Sequence, residues 1–386
     1  MTWRNRLAAL IAPERRSGAS WTALAALSSN GMAINARAAE NLSAVTACTA
    51  VVAGALSSLP ALVYQRSDTG RREITDHPVA KLLRGTANAH QTGPDFMESW
   101  IASALMTGNG LAAIEREGGA VTGLRFIPWA WVSVSQLASG RLAYDVTEQV
   151  GTVGRAGRTY RLLDGEVLHL RDRSDDGLIG RSRLSRAADT VASAMGAAEF
   201  SKSFLANGAQ PSGVLEFPGA IGPEQMANIR TSLDDGYTGT SKAGRTMILD
   251  GGLVWKSVQV SPEDAELLAT RKFGVEEICR LFQVPPPLVQ DYSHNTFTNS
   301  ETAGRWFAQF TLGPWARKIE AEFSRSVFPA GGPFELELDL SGFLRGDPQT
   351  RWAAHKIAVD SGILDADEVR EIEGFNPRGK PAVAIA

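Results

Sequence analysis

The sequence has little of what marks most enzymes and anchored proteins. Only two cysteines, Cys48 and Cys279, occur in 386 residues. Both lie in helix-patterned apolar surroundings, so no disulfide framework is implied and a reduced, cytosolic setting is the default. Five histidines, His77, His90, His169, His294 and His355, are scattered without metal-ligand spacing. No stretch reaches the roughly 18 consecutive apolar residues of a membrane span. The basic start "MTWRNRLAALIAPERRSG" carries only a short apolar run, Leu7 to Ala12, with no clear cleavage site behind it. Charge of one sign is also scarce. The formal net charge is −3, which excludes a DNA grip built on bulk positive charge but not DNA itself. There is no G-x-S-x-G, no H-E-x-x-H and no C-x-x-C.

What is present is an ordinary globular composition, 44% apolar and 21% charged, in a chain long enough for two or three domains. Residues 39 to 59 read as a helix buried on much of its circumference, followed by the strand "ALVYQR" and a short helix with Pro78 in its first turn. "TGPDFMESWIASALMTGNG" is a helix capped by Thr92 or Gly93 and stopped by "GNG". Six strand patterns then run from Leu111 to Leu170, so the first 180 residues predict an α+β domain with helices before a mostly antiparallel sheet. A long Ala-rich helix spans 183 to 206, and "VLEFP" is a strand. Two amphipathic helices follow, near 223 to 237 and 262 to 283, and two strand patterns, "RTMILD" and "LVWKSVQV", lie between them. "VPPPLVQD" predicts an extended, stiff segment. Thr298 and Glu301 fit a capping box opening a long helix. Its apolar seam is Trp306, Phe310, Trp315, Ile319, Phe323 and Val327, with a kink at Gly313-Pro314. "PFELELDL" is a strand, and two small helices close the chain.

Three motifs imitate ligand sites. "GTSKAGRTMILDGG" matches the phosphate-loop spacing at Gly239, Gly244, Arg245 and Thr246, but a helix precedes it and a strand follows, the reverse of what a phosphate cradle needs. "GNGLAA" imitates a dinucleotide fingerprint in the same reversed context. "DRSDDG" opens like a calcium loop, yet Arg183 stands where a bidentate Glu is required. No residue set survives as a catalytic or metal site, and the chain reads as a structural part.

The ordered series "DHPVAKLL", "GNG", "EVLHLRDRSDDGLIGRSRL", "FLANGAQPSGVLEFP", "SPEDAELLATRKFGVEEICRLFQVPPPLVQD", "TFTNSE" and "LGPWARKIEAEF" resembles the portal proteins of tailed bacteriophages, of the Hong Kong 97 type that includes gene transfer agent portals. The resemblance covers roughly residues 39 to 375. It implies a homo-oligomeric, dodecameric ring at one capsid vertex, a virion component assembled in the bacterial cytoplasm. Double-stranded DNA is packaged and ejected through such a ring. The implied partners are the major capsid protein, a head–tail adaptor and the terminase large subunit; no membrane, cofactor or catalysis is implied. The alternatives are an adaptor without portal role, or the packaging ATPase itself.

The implied organisation is an α+β subunit with a flexible arm (1–38), a wing (39–222), a first stem helix (223–238) and a clip (239–260). A second stem helix (261–284), a tunnel loop (285–299), a long helix returning through the wing (300–328) and a crown with tail (329–386) complete it. His294, Asn295, Thr296, Thr298 and Asn299 are the expected DNA contacts; uncharged at neutral pH, they suit sliding better than strong phosphate contacts would. Ser241, Lys242, Arg245, Asp250, Trp255 and Lys256 are the expected docking residues of the clip, whose strands would pair with a neighbouring subunit.

Overall fold

The structure, a computed structural model, describes residues 20–21, 26–27, 33–68, 70–148, 157–206, 213–216, 222–224, 226–228, 231, 254–257, 263–292, 297–328, 331–344, 348–373, 375–376 and 378. Helix α1 (Ser43–Ser57) buries Ala44, Val45, Cys48, Val52, Ala53 and Leu56, which at 3.6 residues per turn form one broad face of about half its circumference. It stops before Pro60, and strand β1 (Ala61–Ser67) pairs antiparallel with β2 (Gly70–Glu73). Helix α2 (Pro78–Arg84) begins behind His77, whose Nδ1 accepts the Val79 N–H at 3.2 Å.

Helix α3 (Gly93–Thr107) opens on a reciprocal cap. The Asp95 N–H donates to Thr92 Oγ1 and the Thr92 N–H donates to the Asp95 carboxylate, each at 3.3 Å. Gly108, at φ 84°, ends it in the left-handed conformation that glycine adopts without a Cβ clash.

Six strands follow: β3 (Asn109–Glu117), β4 (Ala120–Ile127), β5 (Val132–Gln136), β6 (Leu142–Thr147), β7 (Thr159–Leu163) and β8 (Val167–Arg171). They are all antiparallel but do not form the one sheet expected. β8-β3-β4 make one sheet and β5-β6-β7 another. The division falls at Pro128, which has no N–H to offer a ladder, and at the 3-10 turn Trp129–Trp131 behind it. Within the N-terminal segment read as a mobile arm, Ser20 and Trp21 pair with Ser135 and Val134 of β5, using backbone groups that an edge strand leaves free.

Beyond β8 come the short helix Arg183–Arg186 and α4 (Ala188–Ala206). Then follow β9 (Gly213–Glu216), β10 (Val254–Ser257) and α5 (Glu263–Phe282). Helix α6 (Phe297–Trp306), a π-helical stretch (Phe307–Leu312) and α7 (Gly313–Ser326) run in continuous succession. β11 (Phe334–Leu338), the short helix Ser341–Leu344, α8 (Pro348–Asp360) and α9 (Ala366–Ile372) follow. β11 pairs with β1, placing Leu336 opposite Val63 and Leu338 opposite Ala61. The pairing joins a strand near the C-terminal end to one near residue 60, where its alternate leucines meet an apolar strand.

One core joins α1, α3, α5 and α7. Trp100 stacks on Phe96 and meets Phe323 edge-on, both at ring separations of 6.0 Å, the geometry that the ring quadrupole favours.

Candidate functional site

Helix α5 organises the two segments expected to carry function. β10, at its N-terminal side, pairs with β9, setting Trp255 opposite Leu215 and Lys256 opposite Val214. Ser241, Lys242, Arg245 and Asp250 lie outside the described residues, as do the strand pattern "RTMILD" and most of residues 223–238, the expected first stem helix. At the other end, Phe282 leads toward residues 285–299, the expected tunnel loop. Twenty residues at 1.5 Å rise put roughly 30 Å between the two ends. His294, Asn295 and Thr296 are outside the described residues. Thr298 and Asn299 are not in a loop: α6 already begins at Phe297, one residue ahead of the expected cap.

The approach to that segment is built differently from its expected extended form. Pro285 is extended, but Pro286–Val289 make a 3-10 turn. Prolines are tolerated at the start of a helical turn because their missing N–H groups would have had no partner there. Gln283 and Gln290 bracket the turn at φ 59° and 65°. Thr311 Oγ1 donates to the Gln283 carbonyl at 2.5 Å, fastening the end of α5 to the π-helical stretch.

The expected seam along the long helix holds only from Trp315 onward. Trp315, Ile319, Phe323 and Val327 are buried, whereas Trp306 and Phe310 are 61% and 59% exposed. Phe307 and Leu312 take the inward positions. Pro314 explains the change of phase. It cannot donate a hydrogen bond and its ring crowds the preceding turn. The chain widens to π-helix, with the Gly313 N–H reaching the Ala308 carbonyl, and the wider turn rotates the outward face. Trp306 and Phe310 consequently wall a cleft of about 360 Å³ whose other side is Glu276, Cys279 and Arg280 of α5.

The segment that imitated a calcium loop is closed by protein groups. Arg183 Nε donates to Asp172 Oδ2 at 2.6 Å, and both side chains are largely buried, 15% and 6% exposed. The residue that spoils the calcium pattern therefore neutralises its first acidic position. Arg183 also donates to the Leu281 carbonyl at 3.2 Å, near the electronegative end of α5. Lys318 Nζ stands 3.9 Å from Asp172 and 5.0 Å from the Trp315 ring, and burial pulls its ammonium down from its ordinary range. Asp175 pairs with Arg181 and Arg186, and Asp176 accepts the Leu178 and Ile179 N–H groups. Among the described residues no group of three His, Cys, Asp or Glu side chains is placed to hold a metal.

"GNG" also has a structural reason. A Cβ on Gly180 would lie 1.9 Å from the Gly108 carbonyl oxygen, and one on Gly110 2.3 Å from the Trp100 carbonyl oxygen. Asn109 between them accepts the Gly180 N–H at 2.7 Å and donates to the Gly180 carbonyl at 2.8 Å.

His169 is the centre of this junction, a role that its place at a strand end did not show. Its Nδ1 accepts from Tyr144 Oη at 2.9 Å and Arg171 Nε at 3.2 Å. With two donors on Nδ1, the proton sits on Nε2 and goes to Asn109 Oδ1 at 3.0 Å. The His169 N–H donates to Glu322 Oε1 at 2.7 Å, and Glu322 also holds Arg325. β8 is thereby tied to α7. Burial, with Arg171 and Arg325 nearby, holds the imidazole well below its ordinary 6.5.

A neutral buried His stabilises above its unfolded value, and that contribution is lost as pH falls through it toward the folded one. From pH 6.5 to 5.5 the slope approaches about 1.4 kcal/mol per unit for one such group, with His77, lowered by burial, adding in the same direction. Urea titrations at several pH values are expected to show this slope in the parent chain and a flatter one in His169→Gln.

The family model described as phage portal protein matches residues 43–374. The chain belongs to that family. The probable portal protein of Streptomyces phage phiC31 is 30% identical over 373 residues, covering 92% of this chain and 79% of that protein. The portal protein of Enterobacteria phage HK97 is 28% identical over 346 residues, covering 87% of this chain and 79% of its own length. A chain in the neck of an empty gene transfer agent particle, computed with C6 symmetry, has the same fold at a TM-score of 0.57 and 26% identity, over 86% of this chain and 89% of that one. The family expected from the ordered sequence blocks is the one found. Among the described residues no helix is long and apolar enough to cross a membrane.

Proposed function

We propose that this chain is the subunit of a ring, twelve copies around one capsid vertex, that conducts double-stranded DNA during packaging and ejection. The family match carries this reading: it spans residues 43–374, a range that includes α5 and both segments at its ends. The cyclic neck of the gene transfer agent supports the ring, since a chain meeting itself through two different surfaces closes into a cycle. The exposed Trp306 and Phe310 suit a face that another copy covers.

In this reading residues 239–260 dock the terminase large subunit and the head–tail adaptor, with Ser241, Lys242, Arg245, Asp250, Trp255 and Lys256 as the contact set. His294, Asn295, Thr296, Thr298 and Asn299 face the DNA. The major capsid protein surrounds the ring in the virion, which is assembled in the bacterial cytoplasm. The chain works by shape, without cofactor or catalysis, and the energy of packaging comes from the separate terminase.

A photo-crosslinking side chain at Asn295 tests the assignment of the channel. DNA-filled particles are expected to give protein–DNA adducts there and none from a probe at exposed Arg66. Adducts at both positions or at neither would overturn the placement of the loop.

A further inference from the structure

We propose that Cys48 and Cys279 form a latent disulfide site whose oxidation staples α5 to α1. They are the two cysteines of the whole chain, 231 positions apart, yet their sulfurs lie 3.9 Å from each other across the α1–α5 contact. Both are free thiols, 0% and 1% exposed. A single buried cysteine is an inert packing group. Two in contact need only close to about 2.05 Å between sulfurs to bond, and no third thiol exists in the chain to compete.

The two thiols are not equivalent. Cys48 S–H donates to Cys279 Sγ, and that bond together with burial pushes Cys48 well up, while Cys279, as acceptor, is lowered and ionises first. The thiolate is the nucleophilic form. Cys279, though buried, is also the one that borders the cleft of about 360 Å³, with Glu276, Arg280 and Gln283. A small oxidant therefore meets Cys279 first, and Cys48 stands behind it as the resolving group.

With hydrogen peroxide, Cys279 thiolate attacks one oxygen, the O–O bond breaks, and a sulfenic acid and hydroxide form. Cys48 sulfur then attacks Cys279 Sγ; the S–S bond forms, the S–O bond breaks, and the second oxygen leaves as water with the Cys48 proton. Two thiols and one peroxide give one disulfide and two waters, the two electrons passing to the peroxide. In a reduced cytosol the pair stays open. Outside it, the bond ties down the helix that leads from residues 239–260 to residues 285–299.

The test uses the purified full chain, treated with hydrogen peroxide and then unfolded for thiol counting and intact mass. Both thiols are expected to disappear with a mass loss of two hydrogens, and non-reducing digestion is expected to yield one linked peptide pair, 48 with 279. The melting midpoint is expected to rise by at least about 2 °C, reversibly with dithiothreitol. In Cys48→Ser, which lacks the resolving thiol, dimedone is expected to label Cys279. The proposal is overturned if both thiols survive a peroxide dose that oxidises the urea-unfolded chain, or if the products are sulfinic acids or chains linked to each other. The parent-chain measurements decide the matter even if the serine variant does not fold.

Discussion

Gly180→Ala is expected to abolish accumulation of the folded chain. The new Cβ would sit 1.9 Å from the Gly108 carbonyl oxygen and 3.1 Å from the Asp172 backbone nitrogen. Both neighbours are backbone, so no side chain can swing aside. Relief requires moving the loop away from the C-terminal end of α3. That breaks the two Asn109 bonds to Gly180 and with them the acceptor that orients His169. An expected loss of more than about 4 kcal/mol follows, the exceptional range reached by severe overpacking. Gly54, inside α1 with open space around its Cβ position, is the contrast. Gly54→Ala is expected to be neutral or stabilising by up to about 1 kcal/mol, since alanine gives up less backbone freedom on entering a helix. Soluble yield followed by urea unfolding distinguishes the two.

Asp172→Ala is expected to cost about 3–5 kcal/mol, the usual penalty for removing one partner of a buried ion pair. It strands Arg183 and leaves Lys318 beside it without a counter-charge, at the point where α5 and α7 meet the end of β8. Asp175→Ala, whose carboxylate is half exposed, is expected to change stability by under about 1 kcal/mol. If the buried pair is the cause, Asp172→Ala and Arg183→Ala combined will cost less than the sum of the two, because the second substitution removes the charge that the first left alone. Additive losses would show instead that each side chain acts through separate contacts.

Gly180 and Asp172 owe their weight to contacts made across the fold. Helix α3 was legible end to end because its signals are local: Thr92 caps it, Pro94 suits its first turn and Gly108 stops it. The glycine at 180 was not, because its reason lies across the fold at Gly108. The same holds for β11, which finds its partner β1 far back in the chain. It holds again for Cys48 and Cys279, whose scarcity argued against a framework while their meeting depends on how α1 packs on α5.

The long helix failed in a different way. Spacing of four from Trp306 to Phe310 looks continuous with Trp315 onward, but Pro314 changes the helix type, so the first two aromatics turn outward. The false calcium loop could be read correctly from Arg183 alone. The family was legible from the order of the blocks, which survives even where single blocks are weak. Of the expected functional residues, Trp255 and Lys256 fall on β10, and Thr298 and Asn299 on α6. The roles proposed for them rest on surfaces that an assembly would bring together.

That dependence makes assembly the most direct test. Single-particle imaging of the purified 41.3 kDa chain, with its mass measured alongside, is expected to show closed rings of roughly twelve copies, near 500 kDa. The central opening should admit duplex DNA, and Trp306 and Phe310 should be covered by the neighbouring copy. A chain that stays monomeric or dimeric at high concentration and is also absent from the vertex of particles made by its host would contradict the account.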